Sequence, residues 1–425
     1  MSVGRCAIVS IGDEVVAGRI VDTNAPWLAE VLASHGIVCS GMETVSDDPA
    51  VIEAALRRWV GRVDLLLTTG GLGPTDDDRT RTALQRVAHD DVERDAAAVA
   101  SMRARLERSG VPIDEPQLRQ ADRPVSMRSV PNDNGTAPGI MGVIDGTEVW
   151  VLPGPPDELR PMVDAHLVPS LQHDAQRPVP HLDIVAFGLS EAAAAKAMGQ
   201  HLSLSGAGSI RVSKGLVKMR IEEEDPDRLS LEADMIRDAL FPLSLPEGVT
   251  TPAEALMQCA RSLGLTLAAA ESCTGGAIGA ALTDRKGASD VFKGSIVTYA
   301  DGAKIDLLSV PAALLAPDGP GSVSAEVAAA MVTGARRMLH ADAAVSVTGI
   351  AGPDGGTPAK PVGTVWIATA FGDDVRTRQV LLPGRRDRIR TWTVHAALQA
   401  LRWHLEGIEA RMQWDVRVAQ SGGHP

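Results

Sequence analysis

The chain has 425 residues, enough for about three domains of typical size. Aromatic residues make up only 3% of it, and the formal net charge is −13, so we expect no direct binding of nucleic acid. The four cysteines have no CxxC spacing, which argues against zinc clusters and disulfide frameworks and favours a reducing cytoplasm. Apolar runs fall short of the ~18 residues that a membrane span needs, so we expect no membrane partner.

The N-terminal part predicts an α/β fold. Short apolar runs alternate there with amphipathic stretches, in a βαβαβ order that is typical of a parallel sheet covered by helices. The predicted strands are 6–11, 38–45, 64–69 and 149–152, and the predicted helices are 25–34, 50–60 and a last one ending near 170. We therefore place a first domain, with a parallel sheet, at residues 1–170.

Two Pro-containing polar segments, 171–182 and 241–252, read as linkers on either side of a small α+β module. The module is assigned to 171–250, with a strand at 183–187, a run at 209–221 and helices from 191 and 226. A second α/β domain follows at 251–415, and then a tail at 416–425, whose last residues, 419–425, look frayed. The second α/β domain has predicted helices at 252–263, from 275, at 324–340 and from about 385. Its predicted strands are 265–270, 294–299, 343–348 and 363–370.

Glycines and carboxylates follow three successive N-terminal strands. The first strand leads into Gly12-Asp13-Glu14, the second into Ser46-Asp47-Asp48, and the third into the segment 70–80, GGLGPTDDDRT. Each cluster alone is explained by a tight turn or by acidic residues at a helix N-terminus. Together, at the edge where open α/β sheets bind ligands, they favour a nucleotide or diphosphate held with a divalent cation.

Five motifs occur here in order: GDExxxGxxxDxN, VxDD, TGGLGPTxDDxT, NGTAPG and LPGPPxE. Over residues 4–170 they resemble the molybdopterin-binding-like domain of the CinA family. The resemblance implies the fold of molybdenum-cofactor biosynthesis proteins and a metal-dependent ADP-ribose pyrophosphatase. It identifies a candidate site with Asp47 and Asp78 as metal ligands; the full set is Glu14, Asn24, Asp47, Gly70, Gly71, Gly73, Asp77 and Asp78. Asp13 stands where relatives usually have Thr or Ser.

The middle module is similar to the KH-type linker domain of full-length CinA proteins. A KH domain that grips nucleic acid needs a GxxG loop with basic neighbours, and none is obvious at 183–240. A spacer or dimerisation role is therefore favoured, and the resemblance implies a homodimer.

In the C-terminal domain, Ser272 lies on a predicted strand-to-helix turn, where its hydroxyl would be exposed beside free N–H groups of the helix. The alternative is a serine that merely caps the helix. The next strand ends at Tyr299, and Lys304 follows five residues later. If the two strands are parallel neighbours, a desolvated Lys304 could act as the base for Ser272, with the Tyr299 hydroxyl as relay.

The glycine-rich loop 348–358 suggests a phosphate or ribose cradle.

The ordered motifs AESCTGG, YxxxAK, VSxEVA, TGIAGPxGGTPxKPVGTV and PGRRDRIR closely resemble the C-terminal CinA domain, the nicotinamide mononucleotide deamidase, over residues 252–408. The resemblance implies metal-free hydrolysis of the carboxamide to nicotinate mononucleotide and ammonia, in pyridine-nucleotide salvage. Ser272 falls on the nucleophile, Lys304 on the base and Tyr299 on the supporting hydroxyl. The expected substrate-binding residues are Thr274, Gly275 and Gly276 at the oxyanion, Gly349 and Gly352 in the cradle, and Arg386 and Arg390 at the phosphate.

Two departures from the family pattern stand near this site: Asp301-Gly302 replaces Asn-Glu, and Arg385 replaces an acidic residue. A different class of function also stays open. The family name derives from competence and DNA damage, so the chain could be a protein-binding factor with degenerate enzymatic activity and a recombination-protein partner. A pterin-binding scaffold, by fold analogy, is the third alternative.

Overall fold

The computed structural model describes residues 4–108, 110, 113–171, 180–201 and 207–421. The chain divides into two compact units, Met1–Val179 and Pro180–Pro425, which are described separately.

The first unit follows the predicted alternation and adds elements between its third and last parallel strands. In chain order they are β1 Arg5–Ile11, α1 Asp13–Val16, α2 Asn24–Ser34, β2 Val38–Val45, α3 Pro49–Trp59, β3 Leu65–Thr69, α4 Thr80–Ala88, β4 Val92–Arg94, α5 Ala96–Arg108, α6 Glu115–Leu118, β5 Asp122–Pro124, β6 Arg128–Val130, β7 Gly139–Ile144, β8 Thr147–Leu152, α7 Pro156–Met162, a π-helical turn Val163–Leu167 and α8 Val168–Leu171.

The main sheet of this unit has the order β2-β1-β3-β8-β7-β6. Strands β2, β1, β3 and β8 run parallel, which confirms the predicted parallel core, whereas β7 and β6 add an antiparallel edge that the sequence pattern did not predict. Strand β3 (LLLTT) is buried along its whole length, because helices cover both faces of the sheet.

The second unit begins with a small antiparallel sheet of order β10-β11-β9. Its elements are β9 His181–Phe187, α9 Glu191–His201, β10 Ala207–Ser213, β11 Leu216–Glu222 and α10 Pro226–Ala239. The run predicted at 209–221 is thus a hairpin, and it turns at Lys214 and Gly215, which both have positive φ. The predicted α+β character of this module is confirmed.

The rest of the second unit is a mixed sheet of order β13-β12-β14-β15-β16-β17, flanked by helices. Strands β13, β12 and β14 are parallel and the others antiparallel. The elements are α11 Pro252–Leu263, β12 Leu267–Glu271, α12 Ala277–Thr283, β13 Phe292–Val297, α13 Asp301–Leu308, α14 Ala325–Met338, β14 Ala343–Gly349, β15 Thr364–Phe371, β16 Asp374–Leu381, α15 Arg386–Leu405 and β17 Asp415–Ser421.

The predictions for the two linkers and for the C-terminal tail have different outcomes in the structure. Most of the predicted linker 171–182 lies outside the described residues. Segment 241–252 is hydrogen-bonded rather than free: Leu245 N–H donates to Val185 O at 2.7 Å, and Trp403 Nε1 donates to Pro242 O at 3.0 Å. The prediction of a frayed end is wrong at 419–421, because β17 pairs with β16 there; residues 422–425 lie outside the described residues. Within the described chain, helices with the length and apolar character to span a membrane do not occur.

Candidate functional site

In the first unit, a cavity of about 590 Å³ opens where β1, β2, β3 and β8 end. This is the carboxyl edge of the parallel strands, where open α/β sheets bind ligands. The structure brings the whole predicted N-terminal set to its wall, although these residues come from four separate stretches of sequence: Glu14, Asn24, Asp47, Gly70, Gly71, Gly73, Asp77 and Asp78.

The glycine turn after β3 needs glycine for close backbone packing. Gly70 has φ +104°, and a Cβ there would lie 2.1 Å from the carbonyl oxygen of Ile11. A Cβ on Gly73 would lie 2.3 Å from Asp78 Oδ2. Larger side chains at either position would push the turn away from β1 or from the Asp78 carboxylate, so these glycines shape the cavity wall.

Asn24 is fixed at the start of α2 by contacts across the cavity. Its Nδ2 donates to Thr69 Oγ1 at 3.0 Å and to Gly154 O at 2.7 Å. Asp22, which the sequence analysis did not select, accepts from Asn24 N–H at 2.9 Å and from Ser10 Oγ at 2.5 Å. Asp22 is the aspartate of the motif GDExxxGxxxDxN, so the motif already contained the signal that could have found it.

The carboxylates of this cavity are crowded. Asp47 Oδ2 accepts from Asp13 N–H at 2.7 Å, and Asp13 Oδ1 accepts from Asp47 N–H at 3.3 Å. Burial raises the pKa of Asp47; the hydrogen bond from Asp13 opposes this, and the charges of Asp13, Glu14 and Asp77 raise it further. The carboxylates of Asp47, Asp13, Glu14 and Asp77 therefore repel one another, and a bound cation would reduce this repulsion.

Asp78 holds its own loop, since its Oδ2 accepts from Thr75 N–H at 2.9 Å and from the Thr75 hydroxyl. Hydrogen bonding by Thr75 also lowers the pKa of Asp77. Over the described ranges, no group of three or more His, Cys, Asp or Glu side chains is assembled to hold a metal ion. The residues fit a different arrangement, in which Mg²⁺ takes one or two carboxylates and completes its shell with water and substrate phosphates.

In the second unit, a cavity of about 290 Å³ opens beyond the ends of β12, β13 and β14. Strands β12 and β13 pair in parallel, as the proposed approach of Lys304 to Ser272 requires. The predicted residues that line this cavity are Ser272, Tyr299, Lys304, Gly349, Gly352 and Arg386. Arg390 lines a neighbouring cavity of about 790 Å³ together with Arg386, and donates to Thr274 O at 2.7 Å.

Lys304 is almost completely buried, with 1% of its surface exposed. Its Nζ donates to Tyr299 O at 3.2 Å and to Asp301 Oδ1 at 3.3 Å. Among the hydrogen bonds of the described residues, none joins Lys304 Nζ to Ser272 Oγ. The candidate base therefore shares a cavity with the candidate nucleophile, but it bonds to Asp301 in this state.

Tyr299 lies just beyond the end of β13 and is 63% exposed. Its hydroxyl accepts from Arg386 Nη2 at 3.3 Å, while Arg386 Nη1 donates to Gly352 O at 2.8 Å. Arg386 thus links the tyrosine hydroxyl to the glycine-rich loop after β14. In the described part of the chain the hydroxyl makes no hydrogen bond to Ser272 or Lys304, so the relay remains a prediction.

The N–H groups at the N-terminus of α12 donate hydrogen bonds to a buried carboxylate of the same unit. Glu271 is fully buried, and its Oε2 accepts from the N–H groups of Gly276 and Ile278, both at 3.0 Å. Its Oε1 accepts from Gly279 N–H at 2.9 Å and from Ser295 Oγ at 2.6 Å. Glu271 therefore satisfies the helix N–H groups that an incoming oxyanion would otherwise use.

This arrangement contradicts the expected oxyanion site at Gly275 and Gly276, because their N–H groups already have partners. Gly275 N–H donates to Ser272 O at 3.0 Å, and Gly276 N–H donates to Glu271. Thr274, Gly275 and Gly276 are not among the described residues that line the cavity. A helix start was expected to leave these N–H groups open, whereas Gly275 N–H bonds within the turn and the buried Glu271, one residue before Ser272, accepts from Gly276 N–H.

Three further side chains around this cavity were not among the site residues predicted from the sequence. Asp301 pairs with Lys304; Ser322 Oγ donates to Asp301 Oδ1 at 2.7 Å; and Thr348 Oγ1 donates to Ser322 O at 2.7 Å. Beside Ser272, burial raises the pKa of the Cys273 thiol to about 12, so that the thiol stays protonated and does not compete as a nucleophile.

The fold and the two cavities define an α/β protein that joins a molybdopterin-binding-like unit to a second α/β unit with a serine–lysine cavity. Residues 7–173 match the family described as probable molybdopterin binding domain, and residues 249–405 match the CinA C-terminal domain. The chain belongs to the CinA family.

Relatives match over nearly the whole length. A CinA-like protein of Citrifermentans bemidjiense is 38% identical over 405 residues, covering 94% of this chain and 97% of that protein. A CinA-like protein of Akkermansia muciniphila is 39% identical over 410 residues, covering 93% and 96%. The solved structure of a competence/damage inducible protein from Agrobacterium tumefaciens is 40% identical, covers 36% of this chain and 93% of its own, and has a TM-score of 0.35.

Proposed function

We propose that the second unit hydrolyses the carboxamide of nicotinamide mononucleotide to nicotinate mononucleotide and ammonia. The observation that carries the proposal is the shared cavity of Ser272 and Lys304, whose wall also holds Arg386 and the glycine-rich loop after β14. A hydroxyl nucleophile, a buried amine and a guanidinium suit an amide substrate that bears a phosphate. The reaction belongs to nucleotide salvage, and with four free thiols we place the protein in the cytoplasm.

In the proposed reaction, neutral Lys304 Nζ takes the proton of Ser272 Oγ as that oxygen bonds to the carboxamide carbon. The lysine then returns the proton to the leaving nitrogen, the C–N bond breaks and ammonia leaves. Water hydrolyses the acyl-serine by the same proton path and restores both groups. Glu271 does no proton transfer in this scheme; its four hydrogen bonds fix the turn that carries Ser272.

Ammonia release from nicotinamide mononucleotide, measured with chelator present, tests the proposal. We expect turnover by the wild type and a loss of about 10³-fold or more in Ser272→Ala, as for other removed nucleophiles. Ser262→Ala, at an exposed serine of α11, is the matched control and should keep full activity. A wild type that releases no ammonia, or a Ser272→Ala variant as active as the wild type, rules out the assignment.

For the first unit we propose divalent-metal-dependent hydrolysis of the diphosphate of ADP-ribose. The supporting observation is that all eight predicted residues line one cavity of about 590 Å³. Asp47 would hold a cation that arrives with the substrate phosphates, and the glycine turn after β3 would offer backbone N–H groups to them. The cation would neutralise charge on the phosphates, and the residues of the cavity would hold the cation and the phosphates in place.

ADP-ribose turnover with added Mg²⁺ or Mn²⁺ tests this second activity. Asp47→Asn and Asp78→Ala should each abolish metal-dependent turnover while leaving ammonia release in the same preparation unchanged. Asp91→Asn, an exposed carboxylate of the same unit, should affect neither reaction. Turnover that persists in both site variants would remove these two carboxylates from the proposed site.

A further inference from the structure

The cavity of about 590 Å³ in the first unit adjoins a smaller one of about 210 Å³, and both walls contain Gly73, Pro74 and Asp78. Among the described residues that line the larger cavity, none is a lysine or an arginine. The smaller cavity, called the arginine cavity below, is lined by Arg81, Arg119 and Arg123. Carboxylates and guanidinium groups are therefore sorted into two neighbouring cavities.

The guanidinium of Arg81, on α4, is only partly bonded. Its Nη1 donates to Leu72 O at 2.7 Å, whereas Nε and Nη2 are buried and have no hydrogen-bond partner among the described residues. Burial lowers the pKa of Arg81 to about 10, and the charges of Asp78 and Asp122 oppose this, so the side chain stays cationic at neutral pH. A buried cation with two unsatisfied donors is destabilising until an acceptor reaches it.

Nε and Nη2 form the edge of a guanidinium that binds two oxygens of one oxyanion. Arg94 uses this edge on the two carboxylate oxygens of Asp122, at 2.7 and 3.1 Å. Arg220 uses it on those of Asp183, at 2.8 and 2.9 Å. Carboxylates and phosphates both accept such a pair of hydrogen bonds. Arg81 thus has a bidentate donor edge without an acceptor.

The carboxylates that line the arginine cavity already have other partners. Both oxygens of Asp122 accept from Arg94. Asp78 Oδ2 accepts from Thr75 N–H at 2.9 Å and from the Thr75 hydroxyl. Arg123, in contrast to Arg81, forms ion pairs with two carboxylates of its own. The donor capacity left in this cavity therefore belongs to Arg81 and to the third arginine.

That third arginine is Arg119, which follows α6 and is exposed. Its side chain takes part in none of the ion pairs or hydrogen bonds between the residues that the structure describes. The volume of about 210 Å³ lies below the roughly 300–1,000 Å³ of sites for drug-sized ligands. The arginine cavity therefore suits a single oxyanion group rather than a whole nucleotide.

We propose that Arg81 and Arg119 form an oxyanion subsite that binds one phosphate group of the substrate held in the adjoining larger cavity. This deepens the proposed hydrolysis of a diphosphate and rests on it. Nε and Nη2 of Arg81 donate to two phosphate oxygens, and Arg119 adds a second positive charge. The carboxylates of the larger cavity serve the cation, whereas the two guanidinium groups serve the substrate.

Two variants of the full chain test the subsite. Arg119→Gln removes an exposed charge, so it should fold as the wild type does. Arg81→Lys keeps a positive charge in the buried position but loses the Nε–Nη2 edge. Arg103→Gln, at an exposed arginine of α5, is the matched control. If Arg81→Lys fails to fold, Arg119→Gln decides alone.

Hydrogen exchange in metal-free buffer, with inorganic phosphate as the probe, measures binding at this place. We expect phosphate to slow exchange in α4 and in residues 119–124 of the wild type and of Arg103→Gln. The half-saturating phosphate concentration should rise about tenfold in Arg119→Gln and in Arg81→Lys, because each lacks charge-assisted hydrogen bonds. No slowing in the wild type, or equal half-saturation in the variants and the wild type, overturns the proposal.

The kinetics of ADP-ribose turnover with Mg²⁺ then show whether the substrate uses the subsite. KM should rise about tenfold in Arg119→Gln while kcat stays within about twofold, because binding is lost equally from the ground and transition states. Ammonia release by the same preparation should not change. An unchanged KM in a variant that binds phosphate more weakly overturns the assignment to the substrate. A wild type without ADP-ribose turnover overturns the proposed function of the first unit instead, and hydrogen exchange still decides whether the oxyanion subsite exists.

Discussion

The two cavities lie at equivalent edges of their sheets but treat charge in opposite ways. In the first unit, Asp47 faces the charges of Asp13, Glu14 and Asp77, and its pKa is raised. In the second unit, two carboxylates near the cavity have protein partners: Glu271 accepts four hydrogen bonds, and Asp301 faces Lys304. The first cavity is thus arranged for a cation from outside, whereas the second balances its charges with its own side chains.

The largest effect on activity that would sharpen this comparison is expected at Glu271. Glu271→Gln replaces one acceptor oxygen with an NH₂ group that faces backbone N–H donors. We expect a loss of ammonia release of about 10²-fold, because the turn that carries Ser272 is displaced. The free energy of unfolding of the second unit should fall by about 2 kcal/mol, since buried donors lose their acceptor.

ADP-ribose turnover in the same preparation serves as the internal reference and should not change. Glu326→Gln is the control for the same chemical change at an exposed glutamate of the second unit, in the first turn of α14. Full deamidation by Glu271→Gln would mean that this carboxylate does not position the nucleophile, and that the second cavity does not depend on internal charge balance.

The second effect separates the two units by their response to acid. His395 on α15 packs edge-on against Phe187 of β9 at 5.4 Å. Burial lowers its pKa to about 4; the charge of Lys214 adds to this, and a hydrogen bond to the Lys214 backbone opposes it. A histidine whose pKa falls on folding is stabilising while it is neutral, so stability is fully present above about pH 6.5 and is lost as pH falls towards 4.

We expect this loss to be on the order of 3 kcal/mol in the second unit. Urea unfolding at several pH values, followed by hydrogen exchange in α15, measures it. His395→Leu should flatten the pH dependence without abolishing it, because burial also lowers the pKa of His404. His340→Asn, at an exposed histidine of the same unit, should leave the slope unchanged. An unaltered slope in His395→Leu would contradict the assignment.

The elements that carry each site were predictable because they are local patterns. Strand β2 was predicted at 38–45 and is found at Val38–Val45, and helix α11 was predicted at 252–263 and is found at Pro252–Leu263. Motif order was enough to gather Asn24 and Asp78 into one cavity. These features depend on apolar periodicity and on residues at strand ends, both of which can be read from a single chain.

The parts that could not be predicted depend on partners distant in sequence. Strand β16 carries Arg376 and Arg378 on a half-buried face, so its pattern is not that of an apolar strand. Glu271 is indistinguishable from a surface glutamate until α12 folds over it, and the pairing of Asp301 with Ser322 joins residues 21 positions apart. The assumption of an open N–H group at Gly276 failed for this reason: burial of a carboxylate is a tertiary property.

The smallest effect lies at Asp47. An acid whose pKa rises on folding favours the folded state when protonated, so its contribution is present at low pH and is lost as pH rises through the folded pKa. At neutral pH the ionised Asp47 therefore opposes folding of the first unit. Asp47→Asn keeps an oxygen for Asp13 N–H, and we expect it to raise the thermal midpoint of that unit by about 2 °C, a small change because the side chain is largely solvated.

Magnesium should act on the same repulsion from outside. Added Mg²⁺ should stabilise the wild-type first unit and have no effect in Asp47→Asn, as followed by hydrogen exchange in β2 and the loop after it during heating. Asp91→Asn, exposed in the same unit, should behave as the wild type in both conditions. If Asp47→Asn lowers the midpoint, or if Mg²⁺ stabilises variant and wild type equally, then the crowding of carboxylates does not create a cation site. The contrast between the two cavities would then rest on the second unit alone.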